Sequence, residues 1–461
     1  MSARALLNPR SIAWLAALCL VPAVCFAVAP SLFFALLTPS IVIAYLASIL
    51  DRNWLLIKGI RSSPMVVVDD AEARAMPDAG LPLYTVLLPV YDEPEILENL
   101  IDGVGRLEYP KAKLEILLLV EDDDVATQEA VRDITDNSVR VVTVPHSLPK
   151  TKPKACNYAM RTAGVRGEMM TIYDAEDVPE PLQLRKAVAA FRRLPADVGC
   201  LQCRLGYFNE RQNLLTRWFS MEYDQWFRLI LPAVQASNCV VLLGGTSSHL
   251  PTDVWRDVGG WDEFNVTEDA DLGVRLARHG YRTLILDSET LEEANSDVLN
   301  WVRQRSRWYK GYLQTMFVHL RHPATLRQEI GFKATLRLIN LTGAVTITNF
   351  LNLLFWLVMA MWVAGRPEFV SVLFPAFPYY VSLALLFLGA PISIYVGLLV
   401  INNLGKPCLW WAALLAPMYW LLQSVAAVKA VYQFIFRPSF WEKTVHGLSG
   451  QSRPAVEVGG P

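Results

Sequence analysis

The chain has 461 residues, of which 53% are hydrophobic and 19% charged, with a mean hydropathy of +0.28. This composition is too apolar for one ordinary water-soluble domain and predicts that part of the chain lies in lipid. The 42 basic and 44 acidic residues give a formal net charge of −2, which excludes the basic surplus that nucleic-acid binding requires. The scattered Cys and His residues form no disulfide framework or zinc module, and Cys200 and Cys203 are interpreted as small buried residues.

The N-terminal region is a long apolar run. No charged residue occurs from Ile12 to Leu50, and Pro30 divides the run into halves of about 19 residues, each long enough to cross the hydrocarbon core as a helix. Basic residues on both sides of the run favour a helical hairpin, residues 1–50, with both ends in the cytoplasm. A cleaved signal peptide is the alternative, because residues 27–29 read Ala-Val-Ala, as at a processing site.

Residues 51–330 are more polar and numerous enough for one large domain. Short apolar runs alternate there with segments of helical periodicity, which predicts an α/β domain whose parallel sheet is covered on both faces. The predicted strands are 83–88, 114–120, 140–144 and 169–173, and the predicted helices are 95–107 and one that begins near Ala126.

Acidic clusters at residues 121–124 and 174–177 directly follow the second and fourth predicted strands. Ligands of parallel sheets bind beyond the carboxyl ends of the strands. Carboxylates that converge there repel one another unless a cation joins them, and hard oxygen ligands select Mg²⁺ or Mn²⁺. Asp174 and Glu176 could reach one metal ion from a turn. The alternative is two solvated turns whose acids favour the next helix N-terminus.

A further acidic motif occurs where residues 265–269 lead into a predicted helix that runs from Ala270 to His279. Thr267 is its predicted N-cap and Gly280 its stop. Asp269 is either a capping acid or a carboxylate at the mouth of the site that acts as a general base.

The last motif of the polar region is Gln304-Arg305-Ser306-Arg307-Trp308. On a helix Gln304, Arg307 and Trp308 share one face. A guanidinium group can fork onto phosphate oxygens, and an indole plane suits the apolar face of a sugar ring. The alternative is an amphipathic helix, around residues 299–317, that rests on the membrane surface, and both interpretations can hold at once.

The C-terminal part, residues 331–436, is predicted to be a second membrane region that precedes a tail at 437–461. Pro391 and Pro417 are predicted kinks in it. Three spans would place the basic tail outside, against the charge rule, so Ser424–Phe436 is alternatively predicted to lie along the membrane surface. The uncharged runs that each could hold one spanning helix are Leu338–Gly365, Phe369–Gly405 and Pro407–Val428.

Taken in order, these motifs resemble those of the processive, membrane-embedded family 2 glycosyltransferases, the group of bacterial cellulose and hyaluronan synthases. The resemblance covers about residues 80–320. The Asp-Ala-Glu-Asp form of 174–177 and the tail sequence 441–444 are similar to exopolysaccharide and biofilm glycosyltransferases of the phage-adsorption protein B type. The matching motifs are Pro89-Val90-Tyr91-Asp92-Glu93, the region of Asp122, Lys154-Ala155-Cys156-Asn157, Asp174-Ala175-Glu176, Thr267-Glu268-Asp269 and Gln304 to Trp308.

The resemblance implies a cytoplasmic, Rossmann-like GT-A-type catalytic domain and a role for each matching residue. Asp269 is implied as the catalytic base, with Glu268 beside it, and Asp174 and Glu176 as the ligands of Mg²⁺ or Mn²⁺. Glu176 departs from the family, whose second metal acid is usually Asp. Gly244-Gly245-Thr246-Ser247 resembles the loop that shapes the acceptor site in the family, and no role is implied for His249, which this loop also carries. Residues implied for the nucleotide-sugar are Pro89, Tyr91, Glu93, Asp122, Lys154, Asp174 and Arg307, and those for the acceptor are Thr246, Ser247, Gln304 and Trp308.

The predicted function is inverting transfer of a hexose or N-acetylhexosamine from a UDP-sugar to a growing β-linked exopolysaccharide. The predicted place is the inner face of the bacterial plasma membrane, with the chain as a multi-pass protein and transfer coupled to export, which could involve partner proteins. One alternative is non-processive transfer to a polyprenyl-phosphate lipid carrier. The other is a catalytically inactive membrane transporter or receptor.

Overall fold

A computed structural model describes residues 2–5, 20, 23–62, 64–132, 139–365, 380–382, 384–438 and 440–442. Most of the first half of the predicted hairpin, and the tail from 443 onward, lie outside the described residues. The second half of the hairpin is helix α1 (Pro30–Arg61), which continues beyond the predicted end at Leu50. The extension carries α1 from the apolar run into contact with the polar domain.

An eight-stranded sheet forms the centre of the polar domain, with strand order β3-β2-β1-β4-β7-β6-β8-β5. Its first four strands are parallel, as predicted, so the carboxyl ends of β1, β2 and β4 meet at one edge. The strands are β1 (Tyr84–Val90), β2 (Leu114–Glu121), β3 (Val139–Val144), β4 (Met169–Ile172), β5 (Val178–Pro179), β6 (Val198–Tyr207), β7 (Ser248–Pro251) and β8 (Arg282–Glu292).

The sheet is mixed, whereas the sequence predicted a parallel one. Strand β7 runs antiparallel to both of its neighbours, β4 and β6, and β5 runs antiparallel to β8. β7 has only four residues, Ser-His-Leu-Pro, which is too short and too polar for a recognisable strand pattern. Because β7 is reversed, the loop that precedes it, and not the loop that follows it, lies at the edge where β1 and β4 end.

Helices cover both faces of the sheet, so inner strands such as β1 and β2 are buried on both sides, whereas the edge strand β3 is partly exposed. Val86 and Leu88 of β1 pack in one hydrophobic cluster and Leu87 in the opposite one, as the alternation of side chains along a strand requires. Cys200 and Cys203 of β6 likewise lie buried in clusters on opposite faces, which agrees with their interpretation as core residues. The helices of this domain are α2 (Asp70–Ala75), α3 (Leu97–Gly105), α4 (Val125–Arg132), α5 (Lys152–Thr162), α6 (Gln183–Arg193), α7 (Leu214–Tyr223), α8 (Leu231–Gln235), α9 (Thr252–Val258), α10 (Glu268–Arg278), α11 (Val298–His319) and α12 (Pro323–Ile330).

Apolar helices follow: α13 (Phe332–Ile339), α14 (Val345–Gly365), α15 (Ala390–Asn403), α16 (Trp410–Leu414) and α17 (Ala416–Phe436). Within the described residues, three helices are long and apolar enough to cross a membrane: Leu32–Arg61, Phe332–Gly365 and Tyr380–Asn403. A fourth candidate is the pair α16 and α17, bent by 63°. The bend lies at Leu415, just before Pro417, and α17 then continues unbroken through Ser424 to Phe436.

The polar domain and the apolar helices share one hydrophobic core. Trp301 of α11 is fully buried and packs against Tyr419 of α17, with ring centroids 5.2 Å apart. Trp218 of α7 donates its indole N–H to the carbonyl of Ala412 at 2.9 Å. Helix α11, which carries the Gln304–Trp308 motif, therefore lies at the junction of the two regions.

Candidate active site

A cavity of about 820 Å³ extends from the carboxyl edge of the sheet to the space between the apolar helices. The loops after β1 and β4, the loop before β7, the start of α10 and one face of α11 contribute to its wall. Most of the residues predicted for the site line it: Pro89, Tyr91, Glu93, Asp174, Glu176, Thr246, Glu268, Asp269, Gln304, Arg307 and Trp308.

The predicted catalytic pair begins helix α10. Burial raises the pKa of Asp269 to about 6, and burial together with the neighbouring charge of Asp269 raises the pKa of Glu268 to about 8. At neutral pH Asp269 is therefore ionised and able to accept a proton, whereas Glu268 largely keeps its proton. One carboxylate oxygen of Asp269 accepts a hydrogen bond from the backbone N–H of Ala270 at 2.7 Å, which leaves the second oxygen, Oδ2, on the cavity side.

Gly245 lies between two acids that come from different elements, Asp269 of α10 and Asp174 after β4. A Cβ atom at this position would lie 3.4 Å from Oδ2 of Asp269 and 3.9 Å from Oδ2 of Asp174. Both carboxylates thus face the same backbone segment, the loop that the reversal of β7 brings to this edge. A larger residue at 245 would crowd the space between them.

Lys152 is the cation of the carboxylate cluster. Its ammonium group forms an ion pair with Asp174 and donates to the carbonyl oxygen of Gly245 at 2.7 Å. Burial alone would lower the pKa of Lys152, but the charge of Asp174 and the hydrogen bond to it raise that pKa, so the lysine is protonated. None of the motifs recognised in the sequence includes Lys152.

Lys154, the lysine predicted from the sequence motif to lie near the phosphates, does not line the cavity. It is buried, and donates to Glu121 at 2.7 Å and to the carbonyl of Pro145 at 3.0 Å. Lys152 and Lys154 both belong to the first turn of α5, where two positions correspond to about 200° of rotation and so to opposite sides of the helix. The sequence motif indicated a lysine near the start of α5, but it did not show whether Lys152 or Lys154 faces the cavity, because that depends on the rotation of the helix about its axis.

The turn after β4 offers oxygen ligands that suit a divalent cation. Asp174 and Glu176 line the cavity, and the adjacent Asp177 has a buried oxygen, Oδ1, that lacks a hydrogen-bond partner within the described part of the chain. The other oxygen of Asp177 accepts from the backbone N–H of Asp174 at 2.7 Å and from the hydroxyl of Thr246. Asp177 thereby ties this turn to the loop before β7, and the set of hard donors fits Mg²⁺ or Mn²⁺.

A second acidic group lies on the surface. Ligand atoms of Asp122, Asp123 and His146, all exposed, lie within 4.8 Å of one another, and Lys150 forms an ion pair with Asp123 at 2.5 Å. Asp122 therefore lies at the outer rim and not in the cavity lining, so its predicted contact with the nucleotide remains a prediction.

The Gln304–Trp308 motif presents its predicted face to the cavity. The negative charges of Asp174 and Asp269 attract the guanidinium of Arg307, which lies 4.8 Å from the centroid of the Trp441 ring. Trp308 stacks on Tyr223, with centroids 6.0 Å apart. Gln304 accepts a hydrogen bond from Asn295 at 2.8 Å.

Beneath Trp308 lies a polar network that no motif indicated. Glu222 of α7 accepts hydrogen bonds from Arg305 of α11 at 3.0 Å, from the hydroxyl of Tyr419 at 2.5 Å and from Gln423 at 3.4 Å. The guanidinium of Arg305 also lies 4.8 Å from the centre of the Trp308 ring. These residues come from three distant segments, so only the folded chain reveals that they meet.

Two residues, Ser247 just before β7 and His249 within β7, are not among the residues that line the cavity. The hydroxyl of Ser247 is 2.6 Å from that of Thr290, and its φ of 54° marks a tight turn. His249 is buried, with Nδ1 2.6 Å from the hydroxyl of Tyr84, and burial lowers its pKa to about 3. His249 is thus a neutral residue of the core.

The mixed α/β sheet, with carboxylates gathered beyond its strand ends, defines a GT-A-like fold. Residues 82–311 match the family described as "Glycosyltransferase like family 2". The chain therefore carries a glycosyltransferase family 2 domain.

Curated relatives with sequence similarity are also glycosyltransferases. The probable glycosyltransferase YdaM of Bacillus subtilis is 24% identical over 246 residues, which are 50% of this chain and 55% of the relative. The probable glucomannan 4-beta-mannosyltransferases 7 and 6 of Oryza sativa subsp. japonica are 26% and 28% identical over 54% of this chain and 43% and 44% of their own lengths. The matches thus span about half the length of these relatives.

A solved structure supports the fold. The mannosyltransferase PcManGT from Pyrobaculum calidifontis, in complex with GDP-Man and Mn²⁺, superimposes with a TM-score of 0.56 at 18% identity. The similarity covers 87% of this chain and 98% of that one. The likeness therefore extends beyond the region of the family match.

Proposed function

We propose that this protein is an inverting glycosyltransferase that moves a hexose or N-acetylhexosamine from a UDP-sugar to the end of a growing β-linked polysaccharide. We place the reaction at the inner face of the bacterial plasma membrane, coupled to export. The observation that carries the proposal is the single cavity that joins a cluster of carboxylates, Lys152 and Arg307 to a neutral, aromatic space between apolar helices.

The chemistry at the carboxylate end is a single displacement. Ionised Asp269 removes the proton from an acceptor hydroxyl while the oxygen of that hydroxyl bonds to the anomeric carbon of the donor sugar. The bond from that carbon to the diphosphate breaks on the opposite face, and the nucleoside diphosphate leaves with the electron pair. Lys152 and Arg307 provide positive charge where the leaving group gains negative charge.

Asp174 and Glu176 are the residues that would hold Mg²⁺ or Mn²⁺. A divalent ion, when bound, supplies charge neutralisation to the diphosphate. Within the chain, the ion pair with Lys152 fixes the position of the Asp174 carboxylate at the cavity wall. Asp177 supports the same turn through its hydrogen bond to the backbone of Asp174.

The membrane end of the cavity suits a sugar chain. Aromatic planes pack on the apolar faces of sugar rings, and side-chain amides bond to their hydroxyl groups. The charged groups that border this end have partners within the protein, as Glu222 has in Arg305. Lining residues of this end include Trp308, Asn349, Asn352, Trp356, Tyr419, Trp420 and Gln423.

Transfer to a polyprenyl-phosphate carrier is the second candidate. The position of the cavity between candidate spans favours it, because a lipid could enter there. A phosphate acceptor, however, would meet mainly amide and aromatic side chains at this end; Glu222 is matched by Arg305, and the cation Arg52 donates to Gln225 at 2.9 Å. The neutral lining therefore supports a sugar acceptor over a phosphorylated one.

The donor is open to a direct test. Purified protein in lipid vesicles would be offered UDP-glucose, UDP-N-acetylglucosamine and GDP-mannose, with Mg²⁺, Mn²⁺ or a chelator, and the released nucleoside diphosphate measured. The rice relatives named as mannosyltransferases justify the third donor. We expect metal-dependent release of UDP. Release of GDP alone would overturn the choice of donor, and no release from a wider donor panel would overturn the proposed activity.

A further inference from the structure

A cluster of basic side chains lies where the polar ends of two candidate spans meet. Asp51, Trp54 and Lys58 recur at three- and four-residue spacing along one face of α1. Lys333 and Arg337 lie one turn apart on α13, at the beginning of the candidate span Phe332–Gly365. The two faces contact each other beside the polar domain.

Direct contacts bind the cluster together. Arg337 forms an ion pair with Asp51 at 2.7 Å, and its guanidinium lies 5.2 Å from the centre of the Trp54 ring. The ammonium of Lys58 lies 5.0 Å from the same ring. Lys58 and Lys333 both donate to Ser237, to its hydroxyl at 2.6 Å and to its carbonyl at 3.2 Å. Three cations thus share one indole and one serine.

The cluster has more positive charge than its own acid can balance. Asp51 is the acid in contact with it, and this carboxylate also accepts from Asn340 at 2.7 Å. Lys333 and Arg337 both repel Lys58. The Arg337 side chain is only 10% exposed, and its Nη1 has no hydrogen-bond partner among the described residues. Like charges held this close are stabilised by an anion.

We propose that Lys58, Lys333 and Arg337 form a binding site for the phosphate headgroup of an anionic phospholipid. Exposed apolar side chains next to the cations favour a lipid over a free phosphate ion. Trp54 is 46% exposed, and Phe332 and Leu336 on α13 are exposed as well. Tryptophan is enriched at membrane interfaces, and basic pockets between cytoplasmic helix ends bind acidic headgroups. These three residues are separate from the carboxylate cluster, so the proposed lipid site does not depend on the proposed reaction being correct.

The test measures lipid binding and not sugar transfer. Full-length protein in neutral detergent would be titrated with phosphatidylglycerol or phosphatidylcholine, and bound lipid counted by native mass spectrometry. We expect preferential binding of phosphatidylglycerol, and about a fivefold loss of that affinity in Lys333→Gln, the contribution typical of one basic residue near a headgroup. Lys333 is exposed, so the substitution should leave the fold intact, which the melting temperature checks.

Arg61→Gln is the matched control, because this exposed residue carries the same charge at the end of α1. The control should retain wild-type affinity. Equal binding of the two lipids, or equal losses in Lys333→Gln and Arg61→Gln, would overturn the site. Displacement of phosphatidylglycerol by millimolar inorganic phosphate would show a general anion site and would overturn the assignment to lipid.

Discussion

The two ends of the cavity are built from different chemistry. At the sheet, Asp174, Glu268 and Asp269 surround Lys152, and burial of the two acids of α10 raises their pKa values. Between the apolar helices the lining is amide and aromatic, and the ion pair between Glu222 and Arg305 is internally matched. Burying charge is costly unless the charge is paired or used. The excess of buried acids at the sheet therefore points to a charged ligand at that end. The end between the apolar helices, where Glu222 is paired with Arg305, is called the balanced end, and its lining points to a neutral ligand.

The largest effect is expected from Asp269→Asn, which removes the proton acceptor but keeps the size of the side chain. The transfer rate should fall by about 10² to 10⁴, the usual contribution of a general base. Binding of the nucleoside diphosphate, measured by calorimetry, should stay within about twofold. Asp253→Asn, at a carboxyl group that is 92% exposed on nearby helix α9, is the control. A wild-type transfer rate in Asp269→Asn would show that Asp269 is not the base and that the charged end of the cavity is not where the reaction takes place.

Glu222→Gln tests the balanced end. The amide keeps the shape but removes the charge that matches Arg305 and one of the two acceptor oxygens that Arg305, Tyr419 and Gln423 share. Loss of a hydrogen bond to a charged group costs about 1.5 to 3 kcal/mol, so we expect a lower melting temperature. Glu222→Asp, which keeps the charge, should recover part of the loss. An unchanged melting temperature in Glu222→Gln would show that this end is not held by charge matching.

The pH dependence of transfer should follow Asp269. A base works only when deprotonated, and its pKa is raised to about 6. The rate should therefore be constant at neutral pH and fall about tenfold per pH unit below about 6. A bound divalent ion, by adding positive charge near Asp269, would move the midpoint lower. A rate that rises as the pH falls through this range would contradict the assignment of Asp269 as base.

The smallest effect is expected from Trp308→Phe at the border between the two ends. The shorter ring keeps an aromatic surface but loses part of the stack on Tyr223 and part of the sugar platform. Aromatic pairs contribute about 0.5 to 1.5 kcal/mol, so KM for an oligosaccharide acceptor should rise by about two- to tenfold. KM for the nucleotide-sugar should not change. A larger effect on the donor than on the acceptor would place Trp308 at the charged end.

Sequence patterns predicted the long, regular strands and helices well, but they did not predict the short or irregular elements. The strands ending near 90, 121 and 172 followed from short apolar runs, and their parallel order placed Asp174 at the correct edge. The start of α10, with Asp269, followed from its capping pattern. Strand β7 escaped detection because four residues, two of them polar, are too few to show a period, and its pairing with β4 and β6 places His249 in the sheet.

The remaining differences concern side-chain direction and distant partners. Choosing Lys152 over Lys154 required the register of α5, which the motif alone does not contain. The network of Glu222 with Arg305 and Tyr419 joins three segments separated by 83 and 114 residues. No local pattern encodes such a meeting. The charged end was therefore largely predictable from sequence, because strand ends gather it, whereas the balanced end depends on packing between helices.

The size of the product tests the central claim most directly. Purified protein in vesicles would receive a radiolabelled nucleotide-sugar and the required metal, and the labelled product would be separated by gel filtration and by extraction into organic solvent. If the neutral end holds a growing sugar chain, label should elute as a large, water-soluble polymer that a glycosidase degrades. Label found only in a solvent-extractable lipid bearing a single sugar would contradict the claim and favour the lipid-carrier reaction.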